Sequence, residues 1–179
     1  LSKLITVSLP NSVKVIETGA LYNCTKLKSV VLPENLLSIG DDWNWDGGVF
    51  TNCSSLTDVK FKACGNIGSR AFSGCSALKH ITLPSDLKTI DEYAFAYCHN
   101  LKSVQLPSDL EFLGVGAFRE CTSLTSIELP ESLKGIGYNT FQNTGLKSLT
   151  IPVNVEKIGV YSLTSTISDY TTSYLVDGC

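Results

Sequence analysis

Leucine returns along this chain at a nearly constant step. The aligned residues are Leu4, Leu27, Leu56, Leu78, Leu101, Leu124 and Leu146, spaced by 22 or 23 residues except for one step of 29. Three residues after each stands Val7, Val30, Val59, Ile81, Val104, Ile127 or Leu149, and two further on Leu9, Leu32, Phe61, Leu83, Leu106, Leu129 or Ile151. Apolar residues two apart predict a short strand with one face buried. The six prolines, Pro10, Pro33, Pro84, Pro107, Pro130 and Pro152, follow directly and end each strand, because proline has no N–H to continue a ladder.

Each unit then carries a second apolar column (Val13, Leu36, Leu87, Leu110, Leu133, Val155) and, three residues later, a third (Ile16, Ile39, Ile67, Ile90, Leu113, Ile136, Ile158). Glycine often comes next, at Gly40, Gly68, Gly114, Gly137 and Gly159, and fits a bend with positive φ. A small residue and an aromatic follow, as in Ala71-Phe72, Ala94-Phe95 and Ala117-Phe118, with a cysteine three residues on. This stretch reads as a tight helical turn that returns the chain to the next strand.

A unit of about 23 residues cannot bury its apolar face alone, so neighbours must stack with like columns in register. The predicted fold is a solenoid of about seven units, mostly β and coil, whose short parallel strands form a curved sheet. With strands about 4.8 Å apart, the slab is roughly 30 Å long. The expected division is a solenoid over residues 1–163, with an insertion at 41–48, and a cap or linker over 164–179. The cap expectation rests on the polar run from Thr164 to Tyr174, which would cover an open sheet edge.

Composition narrows the partners. Hydrophobic residues at 43% and charged residues at 17% exclude a solvated, disordered chain. A net charge of −3 carries no basic excess for nucleic acid, and no apolar run reaches the ~20 residues that span a bilayer. The chain has no methionine and opens inside a repeat, so it is expected to be a piece of something longer.

From Leu78 to Cys98 and from Leu101 to Cys121 the chain follows L-x-x-I-x-L-P-x-x-L-x-x-I-G-x-x-A-F-x-x-C almost letter for letter. It thereby resembles the BspA-like leucine-rich repeats, over Leu1 to about Leu163. That resemblance implies a leucine-rich-repeat solenoid in a surface or secreted molecule of host-associated bacteria or some protozoa. It further implies adhesion to host proteins or to neighbouring cells, and it names no ligand. A repeat supplies a scaffold, and function lies in its variable positions.

Those positions are of three kinds. On each strand the residues flanking the middle apolar one point away from the core, giving two polar rows that include Asp58/Lys60, His80/Thr82, Ser103/Gln105 and Ser126/Glu128. They read either as a concave hydrogen-bonding surface for a protein or glycan or as an ordinary soluble strand face. The insertion Asp41–Gly48 holds both tryptophans. Its Asp42, Asn44 and Asp46, followed by Gly47, match the opening half of a calcium loop, whose acidic twelfth position would fall on Cys53. The alternatives are an acidic turn without metal, and direct contact of Trp43 and Trp45 with a sugar or protein; equally, the two rings fold back over a repeat edge. No cofactor beyond this calcium is expected.

Five of the seven cysteines, Cys24, Cys53, Cys75, Cys98 and Cys121, share one repeat position, which reads as a buried row of thiols ahead of a disulfide or metal framework. His80 and His99 are read as surface histidines, and no G-x-S-x-G or H-E-x-x-H motif occurs. An enzyme is therefore not expected.

Overall fold

The computed structural model describes residues 3–40 and 47–160. Five strands, β1 (Thr6–Ser8), β3 (Ser29–Val31), β5 (Asp58–Lys60), β7 (His80–Thr82) and β9 (Ser103–Gln105), form one parallel sheet in that order. These are the strands that the apolar alternation predicts. The middle residues Val30, Val59, Ile81 and Val104 are buried while their neighbours on β5, β7 and β9 are exposed. Register follows the repeat, with His80, Ile81 and Thr82 opposite Ser103, Val104 and Gln105. The irregular third unit loosens it, and between β5 and β7 only Lys60 and Thr82 are paired.

The third apolar column forms a second parallel sheet that the alternation does not reveal, since two residues are too few to show a period. Its seven strands are β2 (Val15–Ile16), β4 (Ser38–Ile39), β6 (Asn66–Ile67), β8 (Thr89–Ile90), β10 (Phe112–Leu113), β11 (Gly135–Gly137) and β12 (Lys157–Val160). There is one for each leucine-aligned unit. The first sheet stops earlier than expected: Ser126–Glu128 and Ser148–Thr150 are not strands.

The return stretch is not helical, and no helix occurs among the described residues. Its N–H groups donate to the following unit instead of four residues back: Tyr93 to Val115, Phe95 to Ala117 and Tyr97 to Arg119, each at 2.8 Å. A helix would leave that third side of the solenoid without inter-unit bonds. Two residues per turn adopt left-handed backbone, as at Tyr93 (φ 55°) and Tyr97 (φ 62°), or Asn139 (φ 55°) and Asn143 (φ 56°). Each turn is thus a double left-handed corner with a bonded ladder between.

Only part of the glycine column needs positive φ. Gly40 (φ 67°) and Gly159 (φ 76°) do, but Gly68, Gly114 and Gly137 do not. Those three are excluded from carrying a side chain by their neighbours: a Cβ on Gly68 would lie 1.4 Å from the carbonyl oxygen of Gly40, and one on Gly137 2.4 Å from the nitrogen of Val115. Close approach of successive backbones, not bend geometry, explains them.

The core runs between the two sheets and the turn ladder as continuous columns. Leu27, Leu56, Leu78, Leu101 and Leu124 are fully buried. Phe50, Phe72, Phe95, Phe118 and Phe141 stack nearly parallel, with successive ring centroids 5.1, 5.3, 5.5 and 6.0 Å apart. The cysteine column lies beside this spine. Cys53, Cys75, Cys98 and Cys121 are buried, and each thiol donates to a carbonyl of the preceding unit: Leu21, Phe50, Phe72 and Phe95 respectively, at 3.2–3.3 Å.

Candidate functional site

The exposed face of the five-stranded sheet carries most of the predicted site. Asp58, Lys60, His80, Thr82, Ser103 and Gln105 all stand on β5, β7 and β9 with exposed side chains. Each strand exposes these side chains because its single inward residue is taken by the core. The parallel register then stacks them into two rows, one through His80 and Ser103 and the other through Lys60, Thr82 and Gln105.

Within the rows, contacts are sparse. Lys60 Nζ lies 3.9 Å from the Asp58 carboxylate, an exposed pair of little energetic weight. His80 Nδ1 lies 3.1 Å from Ser103 Oγ. Sequence inspection missed this bond because the two residues are 23 positions apart; the signal available was that both fill the same repeat position. A serine beside a histidine is half of a nucleophilic pair, but here both are exposed. The nearest acidic residue along the row, Asp58, contacts Lys60 and not His80. Among the described residues no carboxylate hydrogen-bonds the imidazole to orient it as a base.

Ser126 and Glu128 are not on a strand, yet the structure brings them together with Ser103 and Gln105. The four line a crevice of about 370 Å³, with Val104, Leu106 and Ile127 completing its walls. The crevice opens where the first sheet ends. On the other two sides the same units stay joined, by β10 with β11 and by the turn bonds from Gly116 to Tyr138 and Phe118 to Thr140. The fifth and sixth units are therefore bonded on two sides and unbonded on the sheet face.

Flanking the face is a set of inter-unit ion pairs: Lys62 with Glu34, Lys88 with Asp109 at 2.9 Å, and Lys134 with Glu111 at 2.6 Å. Hydrogen bonding to Lys88 and Lys134 holds the Asp109 and Glu111 carboxyls below their ordinary range. These groups are exposed and satisfied by each other, so they trim the solenoid's edge and do not await a ligand.

The remaining candidates fall elsewhere. Asp42, Asn44 and Asp46, proposed calcium ligands, and Trp43 and Trp45 lie outside the described residues. So does the segment 164–179. Among the described residues no group of three His, Cys, Asp or Glu side chains is placed to hold a metal, and no helix is long and apolar enough to cross a membrane. Cys24, Cys53, Cys75, Cys98 and Cys121 are free and buried, in keeping with a packed thiol column, and Cys64, outside that column, is also buried. Burial pushes the Cys53 and Cys121 thiols up to about 12 and raises Cys75 and Cys98 well above the ordinary thiol range. Such thiols are poor nucleophiles and poor metal ligands.

A leucine-rich repeat protein of T. pallidum is similar to this chain at 29% identity and a TM-score of 0.70, over 88% of this chain and 70% of that one. A leucine-rich cell surface protein from Faecalibacterium prausnitzii A2-165 is 27% identical with a TM-score of 0.70, over 86% of this chain and 43% of that one. The chain thus spans less than half the length of that relative. A leucine-rich repeat protein from Eubacterium ventriosum, at 19% identity and a TM-score of 0.50, shares the fold over 95% of this chain and 61% of that one. No curated protein matches the chain. The family model of the BspA type leucine-rich repeat region matches residues 1–43 and 45–168 in six copies. With that match laid over stacked parallel strands and an inter-unit thiol and phenylalanine column, the chain belongs to the BspA-type leucine-rich repeat family.

Proposed function

We propose that this chain is a non-enzymatic recognition module that binds protein through the exposed face of its five-stranded sheet, at a cell surface or outside the cell. The observation that carries the reading is the two rows of exposed polar side chains, one in register through Lys60, Thr82 and Gln105 and the other through His80 and Ser103, which end in a crevice lined by Ser126 and Glu128. Lys60, Thr82 and Gln105 stand on that row two carbons to several carbons proud of the backbone, and the core does not need them. Such a surface offers donors, acceptors and both charge signs to a partner without ordering any further chain. The surface location draws on the F. prausnitzii relative, which is described as a cell surface protein. The non-enzymatic reading draws on the His80–Ser103 pair lying exposed, with no third group to orient it among the described residues.

The test uses the chain immobilised as bait against extracellular proteins, beside a variant carrying Lys60→Glu, His80→Glu and Gln105→Glu whose fold is verified by circular dichroism. A partner held through this face is lost from the triple variant and retained by the native chain. Retention by the triple variant moves the site off the sheet. Loss on replacing Trp43 and Trp45 with alanine instead assigns binding to the insertion, and a glycan array then separates sugar from protein.

A further inference from the structure

We infer that the crevice between the fifth and sixth units is a receptor for one extended peptide segment of a partner protein, which adds its main chain to the free edge of β9 and presents a basic side chain to Glu128. The inference rests on the reading of the sheet face as a protein-binding surface and specifies how part of that face binds.

The argument starts from main-chain hydrogen bonding. Between β3 and β5, the N–H and C=O groups of alternate residues are directed at the next unit. Lys28 O accepts from Asp58 N, and Leu32 N donates to Lys60 O at 2.9 Å. By the same register, the edge of β9 that faces forward is made of Lys102 C=O, Val104 N–H and C=O, and Leu106 N–H. The groups that should answer them belong to Ser126 and Glu128. Among the described residues no backbone bond joins 102–106 to 126–128, and β9 pairs only with β7. Two complementary edges therefore face one another across a gap instead of bonding.

Free sheet edges are reactive toward other strands. Proteins use such edges to bind extended peptides, with main-chain bonds supplying affinity and alternate side chains supplying choice. This edge differs from an ordinary sheet end in having a second wall, so a peptide there can bond on either side. The crevice, at about 370 Å³, has room for a few residues of extended chain. Its apolar walls, Val104, Leu106 and Ile127, suit a small apolar side chain pointing inward. Ser103, Gln105 and Ser126 are neutral, so Glu128 is the one charged residue lining the crevice, and it favours Lys or Arg at the adjacent outward position.

The experiment uses the full 179-residue chain and blocked pentapeptides of the form acetyl-Thr-Val-X-Val-Thr-amide, with X as Lys, Gln or Glu, at millimolar concentration. A fourth peptide repeats the Lys sequence with the central amide N-methylated. Binding is read from the amide signals of residues 102–106 and 126–128 and from their hydrogen exchange. The expected result is slowed exchange at Val104, Leu106, Ser126 and Glu128, with Lys bound about two- to fivefold more tightly than Gln. Glu128→Gln abolishes that preference without abolishing binding. N-methylation weakens the Lys peptide by about fivefold or more, because one main-chain donor is lost.

The inference is overturned if none of the three unmodified peptides shifts those amides, or if the N-methylated peptide binds as well as its parent. A protein partner that depends on Lys60 and His80 while the peptides leave the crevice untouched overturns it and leaves the face reading intact. Loss of both overturns the two together.

Discussion

Phe95 sits in the middle of the phenylalanine spine, fully buried, with Phe72 at 5.3 Å on one side and Phe118 at 5.5 Å on the other. Replacing it with alanine removes a ring from a site whose neighbours are pinned by inter-unit bonds, such as Phe95 N to Ala117 O at 2.8 Å, and so cannot collapse to fill the space. Truncating a buried phenylalanine costs about 3–5 kcal/mol. Each stacked partner accounts for about 0.5–1.5 kcal/mol of that, and Phe95 has two. The variant is therefore expected near the top of the range, a large part of the 5–15 kcal/mol that holds a typical domain. Urea unfolding followed by circular dichroism measures it, with the m-value reporting whether the solenoid still unfolds as one unit. A double-mutant cycle isolates the stacking itself: Phe72 and Phe95 should couple by about 0.5–1.5 kcal/mol, whereas Phe72 and Phe118, two rungs apart, should be additive within about 0.5 kcal/mol. A loss below about 1 kcal/mol for Phe95→Ala, or equal coupling in the two cycles, refutes the picture of a stacked spine that joins the units.

Two further outcomes follow from the backbone and the thiols. Gly68→Ala is expected to lower the melting temperature far more than Gly19→Ala, because the first meets the Gly40 carbonyl at 1.4 Å while the second meets nothing within 4 Å and bears only the strain of φ 78°. That strain is about 1–2 kcal/mol, and equal losses in calorimetry would sink the close-approach argument. For the cysteines, the folded state keeps Cys53, Cys75, Cys98 and Cys121 protonated to a higher pH than the unfolded chain does. The unfolded chain then binds fewer protons once pH passes about 8.5, so the stability that buried thiols contribute is whole below that value and falls as pH climbs toward about 12. Urea midpoints at pH 7.5 and 10 should show this fall, Cys98→Ala should reduce it, and at pH 8 a thiol reagent should leave the column unlabelled in a Cys179→Ser background until the protein is unfolded.

The leucine step, the paired apolar residues and the proline that follows them were enough to specify stacked parallel strands, since a strand only two or three residues long can be buried only if its neighbours repeat it. The thiol column was equally legible, because five cysteines at one repeat position must stack in one place. The polar rows were legible as rows, because a residue two positions from another on a strand shares its face whatever lies around it.

Other features depended on how units meet. The second sheet hides in the sequence because Ser38-Ile39 and Thr89-Ile90 are too short for a period, and they become strands only when the next unit supplies partners. The turn looks helical in a single unit, yet its N–H groups go to the following one, and only stacked units reveal that competition. Gly68 reads as a bend until the Gly40 carbonyl is seen against it. The crevice is the clearest case. Ser126-Ile127-Glu128 matches its predecessors in pattern, so the sequence predicts another strand. Whether that strand bonds to β9 is decided by small differences in how two units pack on all three sides, and here two sides close and the third stays open.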